Sequence, residues 1–166
     1  MPHAGDAAFL LRLTNDPDWL RFIGDRGVHN EQDAVGYLNR SLLPSFQEHG
    51  FGLFVVETLA DKSAIGICGL VRRPHLDAPD LGFAFLPDHR GHGYALEAGS
   101  AALEDAHTRL GLNRILAITR PDNEASIRVL ERLGMRALQR LKGPGDPPLR
   151  LFGWEASPPS LTDRGH

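Results

Sequence analysis

Cysteine is almost absent from this chain: Cys68 stands alone among 166 residues, so no internal disulfide can form. A reducing compartment, the cytoplasm, is the expected setting. The first residues show no basic-then-apolar leader, and no apolar run approaches the length of a bilayer span. No membrane partner is expected. Positive charge is not in excess either: 18 Lys and Arg stand against 21 Asp and Glu, for a formal net charge of −3. That balance argues against a nucleic-acid partner, which calls for a basic face. No internal repeat is visible.

Several chemical signatures are also missing. Cys68 lies in the apolar run Ala64 to Val71 and reads as core, with no nucleophile motif around it. His89 and His92 have no third ligand at metal spacing, so no metal is expected. No Ser-His-Asp set carries the nucleophile-elbow pattern.

What is present is the composition of one ordinary domain. The hydrophobic share of 42% suffices for a core, and the charged share of 23% is typical. Residues 1–155 read as a single α/β domain and 156–166, polar and Pro-rich, as a disordered tail. Helices are expected over Asp6–Thr14, from Pro17 to a stop at Gly24, and from an N-cap at Asn30. Pro44 is expected to end or kink that third helix. Strands are expected over Gly50–Leu59 and Ala64–Val71, as a hairpin about Asp61-Lys62, then Leu81–Leu86 after the loop His75–Asp80. Ala95–Leu110 is the clearest helix, with Gly111 as its stop. A short buried strand (Arg114–Thr119), a helix (Asn123–Leu133) and a last hairpin (Ala137–Leu141 with Leu149–Trp154) follow. This order describes a mixed, mostly antiparallel sheet with helices on both faces.

The most telling stretch is Arg90-Gly91-His92-Gly93-Tyr94-Ala95, between a strand and the longest helix. Gly91 and Gly93 allow a tight turn with exposed backbone N–H groups. The helix behind aims its free N–H groups and positive dipole end at the same point. Such a cradle suits a phosphate or pyrophosphate. A nucleotide P-loop needs Lys-Ser or Lys-Thr after its last glycine, and Tyr94-Ala95 stand there instead. The dinucleotide fingerprint needs a third glycine in a βαβ unit, and that is missing.

The pattern that does fit, Arg/Gln-x-x-Gly-x-Gly/Ala, is met by Arg90, Gly93 and Ala95. It resembles the pyrophosphate loop of the GNAT superfamily of acyl-CoA-dependent N-acyltransferases. Gly82-Phe83-Ala84-Phe85-Leu86-Pro87 resembles that family's fourth strand. Thr119 to Ser126 resembles the start of its last cofactor-side helix, and Val129 to Met135 that helix's end. The resemblance runs from about Asn15 to Glu155 and is strongest to the RimJ/RimL branch, which acetylates protein N-termini and other primary amines. It implies a GNAT fold, acetyl-CoA as co-substrate, and an amine acceptor that is a peptide N-terminus or a small molecule. Family members begin with a strand for which Met1 to Gly5 leaves no room. That strand is expected to be absent or to lie upstream, exposing the edge near Phe51–Val56 to pairing between copies, hence a homodimer.

The resemblance also assigns residues. The fourth and fifth family strands splay into a V, which puts Phe83, Ala84 and Phe85 along the pantetheine arm. A backbone N–H near Phe85 would polarise the thioester. Gly91, His92, Gly93, Tyr94 and Ala95 would hold the pyrophosphate through their N–H groups, and Arg90 would pair with a phosphate or simply be solvated. Glu97 favours the helix dipole or touches substrate. Asn123 matches the residue that bonds the pantetheine arm, and can also cap the helix. The tyrosine that often protonates the leaving thiolate is replaced by Leu130. Ser126, one turn beyond Asn123, is the candidate acid; alternatively its hydroxyl bonds back to the chain. The usual glutamate base is replaced by Ile118. Asp80 is the first candidate base, with Glu57 and His49 weaker ones. The acceptor is expected near Trp19, Phe22 and Tyr37 and the loop His75–Asp80, with Asp25, Asp77 and Asp80 suiting a cationic amine. A non-catalytic acyl-CoA-binding or sensor module is the alternative reading.

Overall fold

A computed structural model describes residues 1–141 and 148–156. The expected disordered tail, from residue 157 on, and most of the last hairpin's loop lie outside the described residues. A six-stranded sheet in the order β1-β2-β3-β4-β6-β5 organises the fold. Its strands are β1 (Leu53–Glu57), β2 (Ala64–Val71), β3 (Asp80–Phe85), β4 (Arg114–Thr119), β5 (Arg136–Leu141) and β6 (Leu149–Glu155). Every neighbouring pair is antiparallel except β3 and β4, which run parallel. β1 lies at one edge of the described sheet.

Helices cover both faces. On one side lie α1 (Ala7–Thr14), α2 (Pro17–Phe22), α3 (Glu31–Tyr37) and α4 (Leu43–His49). Phe9, Leu10, Leu13, Trp19, Tyr37 and Leu38 meet Ile67 and Ala84 of the sheet there. On the other side lie α5 (Tyr94–Thr108) and α6 (Glu124–Arg132). Leu103, Ala106, Ile127 and Leu130 pack on Cys68, Leu81, Ile115 and Phe152. The alternation of strand side chains explains the division: Phe83 joins the α5/α6 core, whereas its neighbour Ala84 joins the other. Among the described residues, no helix is long and apolar enough to cross a membrane.

Local chemistry sets the helix boundaries. The Asp16 and Asn30 side chains accept from the N–H groups of Trp19 and Asp33, capping α2 and α3. Gly24 and Gly111 take positive φ after α2 and α5. Pro44 does not end the helix begun at Glu31. Leu38–Leu42 form a π-helical turn, and α4 continues with Pro44 in its first turn. The wide turn resets the hydrogen-bond ladder, so Pro44 occupies a position whose missing N–H has no intrahelical partner to lose.

Candidate functional site

The parallel strands β3 and β4 touch at one register pair, Asp80 with Leu116, where the Leu116 N–H donates to the Pro79 carbonyl at 2.9 Å. Beyond that point they part, leaving a V. Backbone direction along β3 is fixed at both ends. The Leu86 N–H donates to Ile65 at the base of β2, while Pro79 faces β4. Alternation between these anchors turns the peptide groups of Phe83 and Phe85 into the gap. A chain with amide groups can add there as an extra strand.

At the open end of the V stands the glycine loop. Gly91 and Gly93 have φ of +76° and +82°, a conformation unfavourable for any side-chain-bearing residue. A Cβ added at either would meet no protein atom within 4 Å. These glycines are therefore required by backbone conformation, and the space before them is open. Gly93 is the N-cap of α5 and supplies no side-chain cap. The first helical bond of α5 runs from the Glu97 N–H to the Gly93 carbonyl, which leaves the N–H groups of Tyr94, Ala95 and Leu96 without helical partners. The cradle fits a pyrophosphate: open space, converging N–H donors and the positive end of a 15-residue helix.

Side chains of the loop behave differently from its backbone. Arg90 does not point its guanidinium at the cradle. Its Nε donates to the Phe85 carbonyl at 2.9 Å, Nη1 to Asp18 at 2.7 Å, and Nη2 to Asp16. Arg90 thus ties the loop to α2 and covers one of the gap-facing carbonyls of β3. The expected pairing of this side chain with a phosphate gives way to that role, because two carboxylates already hold it. His92 is exposed, with its ring tilted against Tyr94. Glu97 is exposed in the first turn of α5.

The opposite wall of the gap is α6. Asn123 caps it, its Oδ1 accepting from the Ser126 N–H at 3.2 Å. The Asn123 amide NH₂ and the Ser126 hydroxyl donate to no group among the described residues, so Ser126 does not bond back to the chain. Both line the cleft, as do Ile118 and Thr119. Leu130, in the position expected for a tyrosine, is 1% exposed and part of the core.

A single cleft of about 950 Å³ joins these parts to a second arm between the sheet and α1–α4. Its floor includes Asp80, which is 1% exposed. The Arg73 Nε lies 3.1 Å from both Asp80 carboxylate oxygens. Burial pushes the Asp80 carboxyl above the usual carboxylate range, and the Arg73 and His75 charges only partly oppose it. Trp19, Phe22 and Tyr37 line the same arm. Trp19 is fixed by its indole N–H, which donates to the Gly24 carbonyl at 3.0 Å. Burial raises the Tyr37 hydroxyl pKa, opposed by the nearby Arg26.

Other acidic candidates stand elsewhere. Asp25 accepts from the Gly27 N–H, and Asp77 pairs with Arg114 on the surface; neither lines the cleft. Glu57 and His49 also lie outside it. Arg73 and Arg26 were not singled out by the sequence. The antiparallel register that sets Val71 opposite Asp80 is the signal that brings Arg73 to that carboxylate. Cys68 is buried and its thiol is pushed up to about 12, so no thiolate is available. Among the described residues no three His, Cys, Asp or Glu groups gather in a way that could hold a metal ion.

Comparison with known proteins gives a consistent result. The family model described as an acetyltransferase (GNAT) domain matches residues 1–136. The uncharacterized N-acetyltransferase YnaD of Bacillus subtilis is 29% identical over 127 residues, covering 76% of this chain and 71% of the relative. A GNAT-family acetyltransferase structure from Bacillus anthracis superposes with a TM-score of 0.72 at 25% identity, over 92% of this chain and 89% of the other. The fold of Mycobacterium smegmatis RimJ, solved in complex with CoA-disulfide, superposes with a TM-score of 0.77 at 24% identity, over 93% and 79%.

Proposed function

The chain belongs to the GNAT family of N-acetyltransferases, and we propose that it moves the acetyl group of acetyl-CoA to a primary amine within the V between β3 and β4. The observation that carries this reading is the joining of three features in one cleft: an open N–H cradle at α5, strand groups turned into a gap, and a second arm with a buried carboxylate. The N–H groups at Gly91–Leu96 hold the pyrophosphate. Phe83 and Phe85 bond the pantetheine arm by backbone, and Asn123 bonds it from α6.

Asp80 takes the proton from the acceptor ammonium, directly or through a water. Its raised pKa suits a base working near neutral pH. The freed amine nitrogen attacks the thioester carbonyl, and an N–H that β3 turns into the gap faces the oxygen on which charge develops. As the C–S bond breaks, Ser126 gives its hydroxyl proton to the thiolate and takes in its place the second proton that the nitrogen sheds on becoming an amide. Holding both reactants in one cleft supplies much of the rate.

The Asn123–Ser126 spacing supports placement in the RimJ/RimL-like branch, as does the fold shared with RimJ. An acceptor of that branch is a peptide N-terminus or a small-molecule amine. The test is acetyl-CoA turnover against a panel of N-terminal peptides and simple amines, read by thiol release and product mass. Transfer to at least one acceptor is expected. Tight acetyl-CoA binding with no transfer across the panel would favour a non-catalytic sensor instead.

A further inference from the structure

The charges in the acceptor arm are arranged against a polycation. Each carboxylate lining the cleft is already held by an arginine. Arg90 holds Asp16 and Asp18, Arg21 and Arg120 hold Asp122, Arg128 holds Glu124, and Arg73 holds Asp80. Four arginines lining the cleft retain donors, Arg128 and Arg132 on α6 and Arg26 and Arg73 beside the acceptor arm. Arg26, exposed at the rim beside Tyr37, has no carboxylate within 4.0 Å among the described residues. Arg73 gives Nε alone to Asp80, leaving both Nη groups unbonded among the described residues. Around them the wall is apolar, formed by Trp19, Phe22 and Leu42.

Resting on the acetyl-transfer reading above, we propose that the acceptor is a free α-amino acid with an apolar or aromatic side chain. A planar guanidinium fork matches a carboxylate. In an α-amino acid one carbon separates carboxylate from amine, and here a guanidinium with free Nη donors is bonded to a buried carboxylate. The Arg73 Nη groups and Arg26 receive the acceptor's carboxylate, Asp80 faces its ammonium, and Trp19 and Phe22 take its side chain. A polyamine would set further positive charge against two guanidiniums and leave the apolar wall unused.

The test compares phenylalanine with phenethylamine, leucine with isoamylamine, and spermidine, in wild type and Arg26→Gln. Thiol release with product mass gives kcat/KM, and calorimetry follows acetyl-CoA binding and then acceptor binding to that complex. The wild type is expected to favour each amino acid over its decarboxylated partner by roughly 10-fold or more, the range of a charge-assisted hydrogen bond. Arg26→Gln should shrink that ratio. Equal or better use of phenethylamine or spermidine overturns the proposal. So does an acetyl-CoA complex that transfers to other amines yet neither binds nor acetylates phenylalanine, and in that case the parent reading stands. A wild type that binds no acetyl-CoA overturns both.

Discussion

Gly93→Ala and Gly93→Asp separate what this residue does for the backbone from what it leaves open for a ligand. Gly93 sits at φ +82° as the N-cap of α5, and a Cβ there meets no protein atom within 4 Å. Either substitution therefore costs backbone strain without a clash, about 1–2 kcal/mol. For a chain of this size each kcal/mol lowers Tm by roughly 2–4 °C. The two variants should melt within a few degrees of each other and below the wild type. Ligand affinity should split them. A carboxylate about 4 Å from a phosphate charge costs about 1 kcal/mol in water and about 4 kcal/mol at an effective dielectric near 20. Acetyl-CoA affinity in Gly93→Asp should fall at least 10-fold below that of Gly93→Ala, and the gap should narrow in high salt. Thermal melts and calorimetric titration measure both quantities. Equal acetyl-CoA affinity in the two variants, with matching loss of Tm, would refute a phosphate site at this loop.

Asp80→Asn should abolish most turnover while leaving Tm at pH 7.5 equal to wild type or higher. The folded pKa is raised because burial favours the neutral carboxyl, so that contribution to stability is full below the unfolded pKa and is lost as pH rises through the folded one, where the buried charge becomes a cost that Asn removes. The same shift predicts that kcat/KM rises along a limb lying above the normal carboxylate range, which a pH–rate profile would show. Ser126→Ala should lower kcat at least 10-fold with little change in acetyl-CoA affinity, since the hydroxyl bonds no protein group among the described residues. An unchanged kcat would remove Ser126 from the proton transfer. Arg90→Ala should destabilise the fold by about 1–3 kcal/mol, because it strips the half-buried guanidinium from Asp16, Asp18 and the Phe85 carbonyl. A melt matching wild type would show the strut to be dispensable.

Local signals in the sequence reach part of the candidate site. The Arg90–Ala95 loop announces itself because positive-φ turns need glycine and because a long amphipathic helix follows directly. Asp122 and Asn123 both read as possible N-caps from their place before an apolar-periodic run, and Asn123 is the one that serves. The parting of β3 from β4 was legible only through family resemblance, since no residue pattern encodes where two parallel strands stop pairing. Long-range side-chain partners were not legible. Arg90 meets Asp16 across 74 positions, and periodicity carries no trace of that. Asp25 and Asp77 suit a cationic acceptor by charge alone, yet local hydrogen bonding and a surface ion pair claim them. The π turn before Pro44 escaped for a related reason: proline ends a regular helix, and its tolerance depends on how the preceding turn is wound.

A crystal structure with bound acetyl-CoA tests the central claim most directly. Phosphates are expected on the N–H groups of Gly91–Leu96, with the pantetheine arm bonded to the backbone of Phe83 and Phe85 and the thioester within reach of Ser126. Acetyl-CoA bound outside the β3–β4 gap, or its phosphates held away from α5, would contradict it.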